Sequence, residues 1–207
     1  MISEKQRDSW KQKALELEPK LIRYVKTPVY KGKVIRNENA FFHDVFVSET
    51  KIGSSDKFNF KNHRELFFDF GEHLVGDFQF DVELAGINVG GPLRFKIIFG
   101  EIPAELIEDI DAFSGTLSRA WFQDEIVTLE YLPQTVKFSR RFAFQFVKIV
   151  LEAKSFDYEI EINNIKCECT TSASPDLDEY VLNNISTDFM EIDKVSLRTL
   201  RNTMQST

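Results

Sequence analysis

The chain has very little with which to bind a metal or to lock itself covalently. Cysteine occurs only as Cys167 and Cys169 in 207 residues, and histidine only as His43, His63 and His73. The two cysteines are two positions apart in a segment that reads as a strand, so both side chains project from one face. Such neighbours do not meet disulfide geometry without strain. With no other cysteine and no nearby histidine, a zinc site lacks ligands, and two reduced, packed thiols are expected. The histidines show no ligand spacing, and no Gly-x-Ser-x-Gly motif occurs. No metal and no cofactor are therefore expected. No apolar run approaches the ~20 residues of a bilayer-spanning helix, so no membrane partner is expected. Basic residues are outnumbered, 26 Lys and Arg against 33 Asp and Glu, for a net charge of -7. That balance argues against a nucleic-acid partner, because phosphate contact needs concentrated positive charge. The first residues, MISEKQRDSWKQKALELEPK, lack the apolar region of a signal peptide. A cytoplasmic location is expected, or a periplasmic or secreted one if a leader has been removed.

Phenylalanine is what the chain has in quantity, 20 residues, clustered in alternating runs. The clearest lies within Glu65–Glu101, where Asp77 to Leu84 alternates polar and apolar without an error. Period-two alternation places Phe78, Phe80, Val82 and Leu84 on one face of a half-buried strand. The stretch reads as strand, turn, long strand, Gly-rich turn, strand, with Gly71, Gly76, Gly90 and Gly91 marking turns. Upstream, Val29-Tyr30 and Val34-Ile35 flank a Lys-Gly-Lys turn, Phe41 to Val47 is a strand, and Asn62-His63 is a bend. Downstream, Pro103 to Ile110 suits a short helix. Strands follow over Phe122–Tyr131, Thr135–Phe138, Phe142–Leu151 and Tyr158–Cys169. About nine or ten strands separated by turn signals give the expected fold class. It is mainly β, a jelly-roll-like antiparallel β-sandwich over residues 26–170.

Helical segments flank the strands. Ser3 and Gln6 form a capping box that opens a helix within residues 1–25. Trp10, Ala14, Leu17 and Leu21 recur at helical spacing, and packing of that stripe on the sandwich is expected until Pro19 interrupts it. At Thr170 the composition changes to Thr-Thr-Ser-Ala-Ser-Pro-Asp, a linker by its small polar residues and proline. Ser186 then caps a helix through Met204, with Phe189, Ile192 and Val195 on one face and Leu197, Leu200 and Met204 on another. Apolar residues on both sides imply burial in something larger. Residues 171–207 are accordingly expected to be a linker and the first helix of a further helical domain.

Residues suited to catalysis are scarce. Asp109 with Asp111, Asp124 with Glu125, and Asp176 with Asp178 are the dense acidic pairs, all in turns or strand starts where solvated acids are common. None is expected to be catalytic. Gly86–Gly91 joins two strands, whereas a phosphate cradle opens a helix, so a hairpin loop is expected there. Two residues remain as ligand-binding candidates. Glu101 ends a strand and is placed to hydrogen-bond a ligand, unless it forms a salt bridge with Arg94, Arg140 or Arg141. Trp121 carries a flat ring that can cover the apolar face of a sugar, unless it is core or interface.

Four motifs in order resemble the N-terminal half of the α-L-rhamnosidases and rhamnosidase-like glycoside hydrolases. They are Asp69-Phe70-Gly71 with Leu74-Val75-Gly76; Gly91-Pro92-Leu93-Arg94-Phe95-Lys96 leading to Phe99-Gly100-Glu101; Arg141 to Lys148; and Ser196 to Gln205. At Gln145 and Phe146 the family often has Arg and Tyr. The resemblance covers roughly Glu65 to Gln205. It implies a β-domain that buttresses an α/α-barrel bearing the catalytic carboxylates, a barrel missing from this chain, which alone would be inactive. That helical catalytic domain is then the expected partner, with carbohydrate as ligand. The alternatives are a freestanding carbohydrate-binding module using Trp121, or a structural protein that self-associates through its C-terminal helix into a homo-oligomer.

Overall fold

The computed structural model describes residues 3–18, 20–41, 43–85, 92–116, 118–154, 159–173 and 186–205. In chain order the elements are α1 (Glu4–Glu16), β1 (Ile22–Lys26), β2 (Tyr30–Arg36), β3 (Asp44–Lys51), β4 (Phe58–Asn59), β5 (Glu65–Leu84), β6 (Leu93–Gly100), β7 (Gln123–Leu129), β8 (Gln134–Lys137), β9 (Phe142–Lys154), β10 (Ile160–Thr171) and α2 (Thr187–Thr203). The fold is mainly β: the ten strands belong to one connected sheet, and every pairing with a recorded register is antiparallel. The chain divides into two compact units, Val25–Cys169 and the combination of Met1–Tyr24 with Thr170–Thr207.

In the first unit the organising element is β5, a strand of 20 residues. Drawn straight it would run about 65 Å, several times an ordinary strand. It is not straight. Gly71 adopts φ +78°, and the register against β9 shifts between Asp69 and Leu74. This is a bulge at a residue free of the Cβ penalty in that region. Asp69 Oδ1 accepts from the Gly71 amide at 2.7 Å and from Gln145 Nε2 at 3.1 Å, which holds the bend. Before it, β5 pairs with β2 and β9; after it, β9 continues in a shifted register over Leu74–Gly76, and β10 and β8 pair with the rest of the strand. A strand that changes partners at a bend makes the corner of a two-layer sandwich.

The two layers meet through phenylalanine. Phe78 and Phe80 of β5 lie against Phe99 and Phe95 of β6, ring centroids 5.2 and 5.9 Å apart, although β5 and β6 are not hydrogen-bonded neighbours. Phe99 also stacks on Phe142 at 3.9 Å. These rings are buried, as are Phe68, Phe144 and Val82. The outer face of β6 and β9 is covered as well. Ile98 and Phe146 pack with Leu106 and Ile110, which come from the 3-10 helix Pro103–Leu106 and the turn after it. Burial on both faces explains why Phe95–Phe99 and Phe142–Leu151 read as near-continuous apolar runs.

Several local expectations are corrected. Gly76 marks no turn. It sits within β5 opposite Cys169, and a Cβ there would lie 2.4 Å from the Glu168 carbonyl oxygen and 2.7 Å from Cys167 Sγ. Its role is to let two backbones approach. Lys31-Gly32-Lys33 is likewise no turn, because pairing with both β3 and β5 keeps it extended inside β2. Phe41 lies in a turn before β3 and is exposed. Thr170 and Thr171 continue β10 instead of opening a linker. The turn glycines Gly90 and Gly91, the loop Gly86–Gly91, Tyr158 and the linker residues 174–176 lie outside the described residues.

The second unit contains both helices. The capping box is present: Ser3 Oγ accepts from the Gln6 amide at 3.3 Å, and Gln6 Oε1 accepts from the Ser3 amide at 3.0 Å. However, α1 buries no residue, and Trp10 and Leu17 are exposed. Too few apolar positions stand among the Glu, Lys and Arg of α1 to make a buried face. At its C-terminal end α2 is tied to the end of β10. Thr171 Oγ1 donates to the Arg201 carbonyl at 2.8 Å, and the Ser172 amide donates to the Met204 carbonyl at 2.7 Å. Asn202 is the buried residue of this helix, while Phe189, Ile192, Val195 and Leu200 remain exposed.

Phe78→Ala should lower unfolding stability by about 3–5 kcal/mol, because it empties the point where both layers meet. Gly76→Ala should cost about 1–3 kcal/mol through overpacking against backbone that has nowhere to move. Urea denaturation of each variant measures both losses. Wild-type stability for either would contradict the packing described.

Candidate functional site

The two residues singled out from the sequence occupy separate places. Trp121 closes a 3-10 turn, Arg119–Trp121, capped by Ser118, whose Oγ accepts from the Ala120 amide at 3.3 Å. It is 73% exposed, so it does not belong to the core of the described structure. Arg119 beside it bridges Asp111 at 2.9 Å and Asp124 at 3.6 Å, which fixes the turn. Glu101 follows β6, and its amide donates to Glu105 Oε2 at 2.6 Å. Glu101 does not lie against Arg94 or Arg140, two of the arginines expected to pair with it. Glu101 Oε1 lies 3.4 Å from His73 Nε2, while Arg94 pairs with Glu152 at 3.0 Å and Arg140 with Glu125 at 2.6 Å. The bend in β5 explains the change, because His73 is carried on the bulged segment between Gly71 and Leu74.

The acidic pairs are engaged in structural roles. Asp109 Oδ1 accepts from the amides of Asp111 and Ala112 at 3.2 and 3.3 Å, a local turn. Asp124 and Glu125 are adjacent on β7, so they point to opposite faces and cannot flank one bond. Asp176 and Asp178 lie outside the described residues. Among the described residues no group of three or more His, Cys, Asp or Glu is placed to hold a metal ion.

Cys167 and Cys169 are buried and form no disulfide, their sulfurs 3.7 Å apart. The Cys167 thiol is pushed well above its usual range, first by its hydrogen bond with Cys169 and then by burial. A thiol is reactive only as thiolate, so Cys167 should be inert, and burial shields Cys169 as well. A thiol-disulfide exchange reagent at mildly alkaline pH should modify neither cysteine in the native chain and both after unfolding. Rapid native labelling would show that β10 opens locally.

The concave surface of the sandwich lies elsewhere. One cleft of 710 Å³ is formed by Phe60–Arg64 against Leu151–Lys154 of β9. A second, of 500 Å³, is formed by Lys31–Lys33, Glu49, Asn62–Glu65 and Phe67. They share Asn62, His63 and Arg64, so the segment before β5 is a common wall. Its backbone is anchored, since the Leu151 amide donates to the Arg64 carbonyl at 2.8 Å and the Lys61 amide to Asn59 Oδ1 at 3.2 Å. Neither Trp121 nor Glu101 lines either cleft. Sequence reasoning took Asn62-His63 for a bend and missed the site. The available signal was the polar, basic run Lys61-Asn62-His63-Arg64 immediately before the most regular strand.

The fold and site define an antiparallel sandwich packed by phenylalanine, with two clefts that share Asn62, His63 and Arg64. Residues 28–169 match the glycosyl hydrolase family 78 alpha-rhamnosidase N-terminal domain, and the chain belongs to that family. Among solved structures it is similar to a rhamnosidase from Klebsiella oxytoca with rhamnose bound, with TM-score 0.81 and 25% identity over 96% of this chain. The likeness covers 38% of that rhamnosidase, so this chain spans well under half its length. Weaker likenesses are to a family 78 rhamnosidase of Bacillus sp. GL1 and to a family 29 carbohydrate-binding module. The first has TM-score 0.40 and 14% identity, covering 55% of this chain and 10% of that one. The second has TM-score 0.32 and 10% identity, covering 80% of this chain and 100% of that one. No match was found among curated protein sequences.

Proposed function

We propose that this chain is the non-catalytic accessory part of a rhamnosidase-like glycoside hydrolase and that it supports a helical catalytic domain. The observation carrying this reading is the likeness over 96% of the chain to 38% of a rhamnosidase, joined to the N-terminal-domain match. The carboxylates of the described residues support it too, since those of the dense pairs serve turns and ion pairs, whereas glycoside hydrolysis needs two acids facing each other across the scissile bond. The exposed side chains of α2 suit the role. Phe189 and Ile192 are 65% and 60% exposed, with Val195 one turn on, a contiguous apolar stripe of the sort that packs on another helix.

The test is to mix the chain with the helical domain of a family 78 enzyme whose own N-terminal domain has been removed. The chain should co-elute and raise the partner's activity. Phe189→Asp combined with Ile192→Asp should weaken association at least about tenfold, the effect of placing charges in an apolar contact. Failure of the wild-type chain to associate sinks the reading. If the wild type instead forms homo-oligomers that the double variant dissolves, self-association through α2 replaces it.

A second reading rests on Trp121, whose exposed ring suits stacking on the apolar face of a sugar. Titration with rhamnose and rhamnose-containing oligosaccharides should then quench its fluorescence, and Trp121→Phe should remove that change while Trp10 remains. Silence at millimolar sugar removes this reading.

A further inference from the structure

The double cleft around Asn62–Arg64 carries an inference that rests on the carbohydrate reading but goes beyond an accessory role. We propose that it is a binding site for a carboxylate-bearing oligosaccharide, a uronic-acid glycan. Arg64 and Lys31 engage the carboxylate, and Asn62 and His63 take neighbouring hydroxyls.

Charge is the first argument. The lining acids are already neutralised: Glu49 by Lys33 at 3.1 Å, Glu65 by Lys148 at 2.9 Å and Glu152 by Arg94 at 3.0 Å. Lys61 is engaged with Glu159 at 3.0 Å. Arg64 and Lys31 have no ion-pair partner among the described residues. In a chain of net charge -7 this leaves a locally positive groove, and Arg64 lines both of its halves. A guanidinium meets a carboxylate through two parallel hydrogen bonds, which gives direction as well as attraction.

The second argument is what the groove does not offer. A neutral sugar is commonly held by laying its apolar face on a flat ring. Here Phe60 is buried, and Lys148 Nζ sits 5.2 Å above the Phe67 ring. The lining therefore recognises by donors and charge. Size is the third. Each cleft falls in the range of small-molecule sites, and Asn62, His63 and Arg64 line both. The wall is also built in advance, since the backbone bonds of Lys61 and Arg64 fix it without ligand.

The experiment is calorimetric titration of the full chain with a galacturonic acid trimer, its carboxyl-reduced neutral form, and a tricarboxylic acid without sugar rings. Saturable binding of the trimer is expected, about tenfold or more tighter than the neutral form, and weakened by added salt. Arg64→Gln with Lys31→Gln should lose about tenfold. Lys33→Gln, on the same groove but engaged with Glu49, should lose much less, and Trp121→Ala should change nothing. Thermal melts establish that each variant is folded. No saturation at millimolar trimer, equal binding of the neutral form, or an unaffected double variant overturns the site. Tricarboxylic acid binding as tightly as the trimer overturns its saccharide character. Failure of the accessory role is read separately by the co-elution experiment, which does not depend on this groove being occupied.

Discussion

The ring of Phe78 touches those of Phe70, Phe80, Phe99 and Phe144, at centroid distances from 5.2 to 6.4 Å. Phe99 and Phe144 belong to β6 and β9; β9 pairs with β5 on both sides of Gly71, whereas β6 does not pair with β5, so Phe99 meets Phe78 by ring packing alone. Most other features follow from that contact. At Gly76 the paired strand β10 brings the Glu168 carbonyl and Cys167 Sγ over the backbone, which requires this position to lack a side chain. His73 lies on the bulged segment near Glu101, and the wall Asn62–Arg64 precedes β5 beside the end of β9. Edge-to-face pairs add a modest directional preference to the area buried, so the cluster fixes geometry as well as stability.

The alternating residues Asp77–Leu84 made this core legible in the sequence, because period two is a direct record of which face is wet. Phe78, Phe80 and Val82 are buried as the pattern predicts, while Leu84 at the end of β5 is half-buried, and the capping box of Ser3 and Gln6 is equally local. What escaped was non-local. A glycine with positive φ inside a strand and a glycine marking a turn look alike in sequence, so Gly71 and Gly76 were both assigned to turns. The partner of Glu101 depends on register across a bulge. The helical stripe of Trp10, Ala14 and Leu17 shows the opposite failure, in which the spacing is right but nothing is buried.

The candidate site was less legible than the fold for the same reason. Its lining comes from 31–33, 49, 60–67 and 151–154, four segments that only the pairing of β2, β3, β5 and β9 brings together. No spacing rule detects a groove assembled in that way. Trp121 and Glu101 drew notice because each is chemically conspicuous alone. The groove instead depends on which cations are already matched, and the matching of Lys33, Lys61, Lys148 and Arg94 is visible only in three dimensions. The chain belongs to family 78, and this arrangement of charge is read from its own residues.

Sharing β5 between the layers also bears on how the domain comes apart. In a sandwich whose sheets are joined only by loops, one sheet can fray while the other stays intact. Here the hydrogen bonds of both layers run along a single backbone, and losing the bend at Gly71 would strip partners from β2, β8, β9 and β10 together. Amide protons on either side of Gly71 should therefore exchange through one common opening, and the Val25–Cys169 unit should melt as one cooperative body.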